Sequence, residues 1–240
     1  MNGQILISGG AIALISLMVI VASIKRLPDL GMLGALVIIG WLVWQRPGGL
    51  EQLGFYPSDN WPCMILMSLL LGCLLSFFAI ALLEPLIERL TGKPHDIRIM
   101  DPVRGNLSAL LQLLALVWLL VAFLEEIVFR GFLMTEIAQL IGAGAAGLAF
   151  NVLFTSILFG VAHWYQGPSG VVSTAIVGAL LGLIFVWAGF NIWPVVLIHG
   201  FVDTLALIII YANLDTRIKH VIIKPNKQIS VLNEQITDEL

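Results

Sequence analysis

Apolar runs long enough to cross a membrane recur along this sequence and constrain its fold more than any other feature. A bilayer core of about 30 Å needs about 20 apolar residues in a helix. Seven such segments stand out, at roughly 5–24, 28–45, 61–83, 108–133, 145–163, 170–188 and 190–211. Only 11% of the 240 residues are charged, against about 25% in soluble domains. The sequence therefore predicts an all-α fold, a polytopic transmembrane bundle of about seven membrane-spanning helices, with no sizeable soluble module.

The distribution of lysine and arginine predicts how this bundle is oriented, because cytoplasmic loops carry an excess of both. If there are seven spans, Arg46 lies alone on one side. The other side collects Lys25, Arg26, Arg89, Lys93, Arg98, Arg104, Arg217, Lys219, Lys224 and Lys227. We therefore expect the N-terminus outside and the C-terminus in the cytoplasm. Since basic residues follow the first segment rather than precede it, we interpret that segment as a retained span and not a signal peptide.

Polar stretches divide the chain into three predicted parts. Residues 1–104 hold the first three spans and nearly all of a polar loop from Glu88 to Gly105, residues 105–211 hold the later spans, and residues 212–240 form a cytoplasmic tail. Asn60 is a candidate N-cap for the third helix. Cys63 and Cys73 lie about 15 Å apart along that helix, so we expect no disulfide between them.

Ionisable residues inside the spans are the candidate functional groups. The fourth segment contains Glu125, Glu126 and Arg130, the fifth ends at His163, and the seventh contains His199 and Asp203. An ionisable side chain at mid-membrane depth costs roughly 2.5–3.5 kcal/mol on insertion scales, so such residues indicate a functional site.

Helical spacing predicts how these groups are arranged. Glu126 and Arg130 are four residues apart and therefore share a face, as do His199 and Asp203. Glu125 points about 100° away from Glu126, toward a different neighbour.

The fourth and fifth segments are also predicted to form a hairpin. The midpoint between Glu125 and His163 falls in Gly142-Ala-Gly-Ala145, a good turn sequence. A hairpin folded there places both side chains at one depth and requires the fourth helix to continue to about residue 141.

Each group also has a structural interpretation. An intramembrane histidine is often a hydrogen-bond bridge between helices, and a Glu–Arg pair alone is more often structural than catalytic. We interpret Asn151 as a helix-packing hydrogen bond, and Phe129 and Phe159 as packing residues. The convergence of several acid and imidazole groups from three helices favours a catalytic site.

The motifs themselves resemble those of the CPBP family, which contains the CAAX prenyl endopeptidases and their bacterial relatives. They are Glu125-Glu126-x-x-x-Arg130, Phe159-x-x-x-His163 and His199-x-x-x-Asp203, with Gly131 and the run Gly178-Ala-Leu-Leu-Gly182 as lesser features. The resemblance covers roughly residues 105–211. Asp203 departs from the Asn that is more frequent in eukaryotic members.

This resemblance implies an intramembrane protease with a helix-lined cavity opening toward the cytoplasm. Glu125, helped by His163, would act as the general base on a water, and His199 with Asp203 would stabilise the oxyanion. Glu126, Arg130 and Phe159 would be supporting residues. A metalloprotease version, with a Zn²⁺ ion bound by Glu125, His163 and His199, stays open.

Two other classes of function also stay open. One is a catalytically idle immunity or scaffolding protein of the same fold, and the other is a transporter, although the sequence shows no inverted repeat. The expected partners are a peptide or protein substrate and the lipid bilayer, with no nucleic acid. We expect an integral membrane protein of a prokaryotic plasma membrane.

Overall fold

The computed structural model describes residues 2–215, with side chains from residue 5 onward. The predicted tail, residues 212–240, therefore lies mostly outside the described residues, and so do Arg217, Lys219, Lys224 and Lys227. No strand occurs between residues 2 and 215. Seven helices in this part of the chain are long and apolar enough to cross a membrane, which confirms the predicted fold class.

The membrane-spanning helices follow one another with short connections, apart from two longer loops. We number them α1 (Asn2–Ile24), α2 (Pro28–Gln45), α3 (Trp61–Thr91), α4 (Leu107–Ile141), α5 (Ala145–Ala162), α6 (Gly167–Trp187) and α7 (Ile192–Tyr211). Short 3₁₀ turns at Gly49–Leu53, Arg98–Val103 and Trp164–Gln166 lie in the connections.

Two helices extend beyond their apolar segments. α4 reaches Ile141 and ends at Gly142, whose φ of 86° suits a residue without a side chain, so the predicted extension and hairpin are confirmed. α3 continues to Thr91. The sequence had predicted that the loop would already begin at Glu88. The added turns bury Pro85 and Ile87, and Gly92 in the left-handed region ends them.

Within residues 2–215, three stretches of π-helix interrupt the α-helical geometry. They are Ala79–Leu83 in α3, and Val117–Val121 and Ile127–Met134 in α4. Such insertions are rare and occur frequently at functional sites. The last one begins directly after Glu125 and Glu126, so it changes the register between these residues and the rest of α4.

The core joins the N-terminal helices to the later ones. Ile15 of α1 and Ile39 of α2 pack in one buried cluster with Phe129 of α4 and Phe159 of α5. The buried Asn151 of α5 donates to the Met134 carbonyl at 2.7 Å, in agreement with its predicted packing role. The first two spans carry no motif, but they support the helices that do.

The loop before α3 closes one end of the bundle. Asn60 accepts from the Cys63 amide at 3.0 Å and caps α3 as predicted. The Gly54 carbonyl accepts from the Ile192 amide at 2.9 Å. The Trp193 ring packs edge-on against Phe55, Trp61 and Phe123. Phe123 and Glu125 lie in the same turn of α4 on different faces, so aromatic packing on Phe123 supports the turn that carries Glu125.

Candidate active site

The structure brings the motif residues of α4, α5 and α7 together. Glu125 lies 4.0 Å from His163 and 3.8 Å from His199, measured from its carboxylate oxygens to each Nε2 atom. The Asp203 carboxylate lies 3.5 Å from the same Nε2 of His199. Glu125 and His163 therefore share one depth, as the hairpin predicted.

Glu126 and Arg130 form a fully buried pair on the other face of α4. Their side chains are 0% and 2% exposed, and Arg130 Nη1 donates to Glu126 Oε1 at 2.7 Å. Arg130 Nη2 donates to the Gly178 carbonyl of α6 at 2.9 Å. Because both charges are paired and hydrogen-bonded, the cost of burying them is reduced.

The Phe159 ring packs against the Arg130 guanidinium group. The Arg130 guanidinium carbon lies 4.6 Å from the centre of the Phe159 ring, which is within cation–π range. The same ring lies 4.9 Å from the His163 ring and 6.1 Å from the His199 ring. Phe159 is therefore a packing platform that the arginine and both imidazoles share.

The two imidazoles are oriented by hydrogen bonds on their Nδ1 atoms. His199 Nδ1 lies 2.8 Å from Glu126 Oε1, and His163 Nδ1 lies 2.9 Å from the Phe159 carbonyl. Carboxylate and carbonyl oxygens only accept, so each Nδ1 carries the proton and donates it. Glu126 therefore orients the His199 ring through Nδ1, and the Asp203 carboxylate lies near the Nε2 atom of the same ring.

Both Nε2 atoms consequently face Glu125 across a gap. At 3.8 and 4.0 Å these pairs are too long for direct hydrogen bonds. Glu125 Oε2 is buried and has no hydrogen-bond partner among the described residues. Polar atoms separated in this way are commonly bridged by a water, so the geometry suits a water held between Glu125 and the histidines.

The donor types also suit a zinc ion, but their spacing is wider than a zinc site requires. Zn–N and Zn–O bonds of about 2.1 Å in a tetrahedron place neighbouring ligand atoms about 3.4 Å apart. The separations here are 3.8 and 4.0 Å. In the part of the chain that the structure describes, no three His, Cys, Asp or Glu side chains are grouped closely enough to hold a metal.

Comparison with known proteins identifies the segment that carries these residues. Residues 107–205 match the family model described as type II CAAX prenyl endopeptidase Rce1-like. The resemblance to the CPBP family is confirmed. This Rce1-like segment contains all three motifs and runs from the start of α4 into α7. No curated protein and no solved structure gives a match.

A cavity of about 370 Å³ connects the motif residues of the Rce1-like segment with the loops at one end of the bundle. Glu125, His163, His199 and Asp203 line its inner part. Asp29 at the start of α2, Glu84 of α3 and His95 of the following loop line its outer part. The cavity therefore extends toward the end that carries Lys25, Arg26 and the α3–α4 loop, the predicted cytoplasmic side.

Several cavity residues lie outside the Rce1-like segment and escaped the sequence analysis. Asp29, Met32, Ser76, Ile80 and Glu84 come from α2 and α3, which carry no motif. Asp29 and Glu84 had one signal, a charge at the end of an apolar segment, whereas Met32, Ser76 and Ile80 had none. The Gly178 carbonyl was also unforeseen as a partner of Arg130, although the glycine run around it had been noted.

Proposed function

We propose that this protein is an intramembrane endopeptidase in which Glu125 and His163 activate a water that attacks a peptide carbonyl. The observation that carries the proposal is the convergence of Glu125, His163 and His199 around a gap of 3.8–4.0 Å at the inner end of the cavity. At the family level, the Rce1-like match supports a CAAX-protease-like enzyme acting on a protein substrate at the membrane.

The proposed reaction begins with the water in this gap. Glu125 takes a proton as the water oxygen bonds to the carbonyl carbon, while the His163 Nε2 helps to hold and orient the water. The carbonyl oxygen becomes an oxyanion. Glu125 then passes the proton to the amide nitrogen as the C–N bond breaks, which releases an amine and a carboxylic acid.

His199 stabilises the oxyanion in this scheme. Protonated on both nitrogens, the ring donates from Nδ1 to Glu126 and from Nε2 to the oxyanion. The carboxylates of Glu126 and Asp203, at 2.8 and 3.5 Å, compensate the ring's positive charge. Arg130 and Phe159 act through these groups as positioning residues.

Peptide cleavage by purified protein tests the proposal. Wild type, Glu125→Gln and Glu136→Gln are compared in detergent against a broad peptide library, with products identified by mass spectrometry. Glu136 is a matched control because it is also a buried carboxylate on α4, but it pairs with Arg46 outside the site. We expect wild type and the control to cleave, and Glu125→Gln to be at least about 100-fold slower.

Equal cleavage by Glu125→Gln, or no cleavage by wild type across the library, would contradict the proposal and favour a catalytically idle protein. The zinc alternative is tested on the same preparations. Zinc that copurifies at one ion per chain, and is lost in His163→Ala and Glu125→Ala, would favour ligation by Glu125, His163 and His199.

A further inference from the structure

The turn of α7 that carries His199 and Asp203 is in close contact with two neighbouring helices. On the side of α3, a Cβ atom added at Gly72 would come within 2.8 Å of the Phe201 side chain and 3.3 Å of the Ile198 carbonyl. Small residues allow helix backbones inside a membrane to approach in this way. The contact leaves no room for this turn of α7 to move closer to α3.

On the side of α4, the same turn is covered by the indole ring of Trp118. A Cβ atom added at Gly200 would lie 2.7 Å from two atoms of this ring, so the indole lies directly on the α7 backbone. The ring also packs edge-on against Phe201, with 5.1 Å between the ring centres. The large side chain of α4 and the missing side chain at Gly200 therefore form a fitted contact next to His199.

A hydrogen bond fixes the indole along this turn. Trp118 Nε1 donates to Thr204 Oγ1 at 2.9 Å, and Thr204 Oγ1 donates to the Gly200 carbonyl at 2.7 Å. Because the hydroxyl proton is used within α7, the threonine oxygen is oriented to accept from α4. An indole N–H can only donate, and leaving it unpaired in an apolar environment is costly. The indole is thus bound to residues 200 and 204, which directly follow His199 and Asp203.

Trp118 reaches α7 without entering the cavity. It lies seven residues before Glu125, a spacing that places two residues on one face of a regular α-helix. The π-helical stretch Val117–Val121 breaks this register. Val117, Val121 and Glu125 line the cavity, whereas the Trp118 side chain does not. An effect of the indole on any reaction must therefore pass through α7.

We propose that Trp118 is a positioning residue, whose indole sets the rotation of α7 at which the His199 Nε2 atom faces Glu125. This inference rests on the proposed function, because it concerns the geometry of the same site. His199 Nε2 lies 3.8 Å from Glu125 and 3.5 Å from Asp203, and a rotation of α7 changes the first of these distances. A displacement of about 1 Å in a reacting group can slow a reaction about 100-fold.

Variants of the hydrogen-bond acceptor test the inference. Thr204→Val keeps the shape of the side chain but removes the acceptor, and Thr204→Ser keeps the hydroxyl group as the conservative rescue. Thr155→Val is the matched control, because Thr155 is a buried threonine of α5 whose Oγ1 donates to the Asn151 carbonyl of its own helix at 2.8 Å. We expect Thr204→Val to lower kcat about tenfold with KM within about twofold of wild type. Thr204→Ser and Thr155→Val should keep both constants within about twofold.

A double-mutant cycle tests the hydrogen bond from its other end. Trp118→Phe keeps an aromatic ring beside Gly200 but removes the N–H donor, so kcat should fall about as far as in Thr204→Val. Since both substitutions remove the same bond, the Trp118→Phe/Thr204→Val variant should lose little further activity. Losses that multiply in the double variant would show that the two residues act independently, which would overturn the inference.

The NMR signals of the imidazoles separate failure of this inference from failure of the proposed function. The protein is labelled with ¹³C-histidine and studied in detergent, and loss of one signal in His199→Gln identifies the His199 ring. We expect this signal to shift in Thr204→Val and Trp118→Phe, and to keep its position in Thr204→Ser and Thr155→Val. If wild type cleaves no peptide, the proposed function fails, but this pattern of shifts would still support placement of His199 by Trp118.

Three results would overturn the inference. They are a kcat of Thr204→Val equal to that of wild type in a cleaving preparation, a His199 signal that does not move in Thr204→Val, and equal losses in Thr204→Val and Thr204→Ser. Each would show that the contact between the indole and α7 packs the helices without setting the position of the His199 ring.

Discussion

Glu126 accepts two hydrogen bonds on a single carboxylate oxygen, from Arg130 and from His199. The oxygen therefore couples the buried arginine of α4 to the imidazole of α7. Since Glu126 itself lines neither the cavity nor the gap around Glu125, its effect on any reaction passes through the orientation of the His199 ring.

This arrangement predicts the effect of Glu126→Gln. The amide oxygen can still accept from Arg130 and His199, but it is neutral, so both hydrogen bonds weaken, and the new NH₂ group replaces an oxygen that has no partner among the described residues. The His199 ring is therefore held less firmly. We expect kcat to fall about 10- to 100-fold with little change in KM. The free energy of unfolding should fall by about 3 kcal/mol, because Arg130 is left as an unpaired buried charge. Peptide cleavage and thermal unfolding in detergent measure the two effects.

Two further variants separate orientation from stability. Glu136→Gln should leave kcat unchanged. Adding Arg130→Met to Glu126→Gln should recover stability, because no buried charge remains, but not kcat. An unchanged kcat in Glu126→Gln, or full recovery of kcat in the double variant, would show that the ring is oriented by other contacts.

At the scale of elements, α6 approaches α4 and α5 through glycine. The Gly178 carbonyl accepts from Arg130. A Cβ atom added at Gly178 would lie 2.9 Å from the Phe159 ring, closer than side chains pack. Phe159 in turn contacts Arg130 and both histidines, so the glycine permits the helix contact on which the platform depends.

We expect Gly178→Ala to lower the free energy of unfolding by about 1–3 kcal/mol, because overpacking displaces the Phe159 ring. Cleavage activity should fall as well, since the ring supports His163 and His199. Gly182→Ala is the matched control one turn along α6, where the nearest atoms to an added Cβ lie at 3.4 Å or more. Equal effects of the two substitutions in unfolding and cleavage assays would contradict this account.

At the scale of the whole molecule, an odd number of spans places the two chain ends on opposite sides of the membrane. Seven candidate spans are found in the described residues. Their orientation stays a prediction from the lysine and arginine distribution, as do the boundaries of the three sequence parts and the prokaryotic plasma membrane. The two cysteines offer a direct test, because both are free and exposed on the surface of the bundle.

We expect a membrane-impermeant maleimide to label Cys63 from the outer side of intact cells or right-side-out vesicles. Cys63 lies in the first turn of α3, near the predicted outer surface, whereas Cys73 lies about 15 Å deeper in the apolar part of the helix. Maleimides react with the thiolate, which forms in water and not in lipid. Mass spectrometry of the labelled protein identifies the site.

The control is Cys63→Ser, which should abolish labelling because only the lipid-facing Cys73 remains. Labelling of Cys63 that requires permeabilised membranes would reverse the predicted orientation. It would then place the cavity mouth, with Asp29 and Glu84, on the outer side.

The sequence by itself determined the features that depend on local periodicity. Apolar segments of bilayer length predicted seven helices, and a spacing of four residues predicted that Glu126 meets Arg130 and that His199 approaches Asp203. The glycine turn at 142–144 placed Glu125 opposite His163. These predictions were possible because helical geometry relates neighbouring residues without reference to the rest of the chain.

Only the tertiary structure decided which groups meet across helices. The hydrogen bond from His199 to Glu126, the Gly178 carbonyl at Arg130, and the carboxylates of α2 and α3 in the cavity all depend on how helices pack against one another. The π-helical turns of α3 and α4 also shift residues out of the regular register. A pattern along one helix contains no information on the rotation or tilt of its neighbours, so the site's inner geometry follows from the sequence only through the packing of the whole bundle.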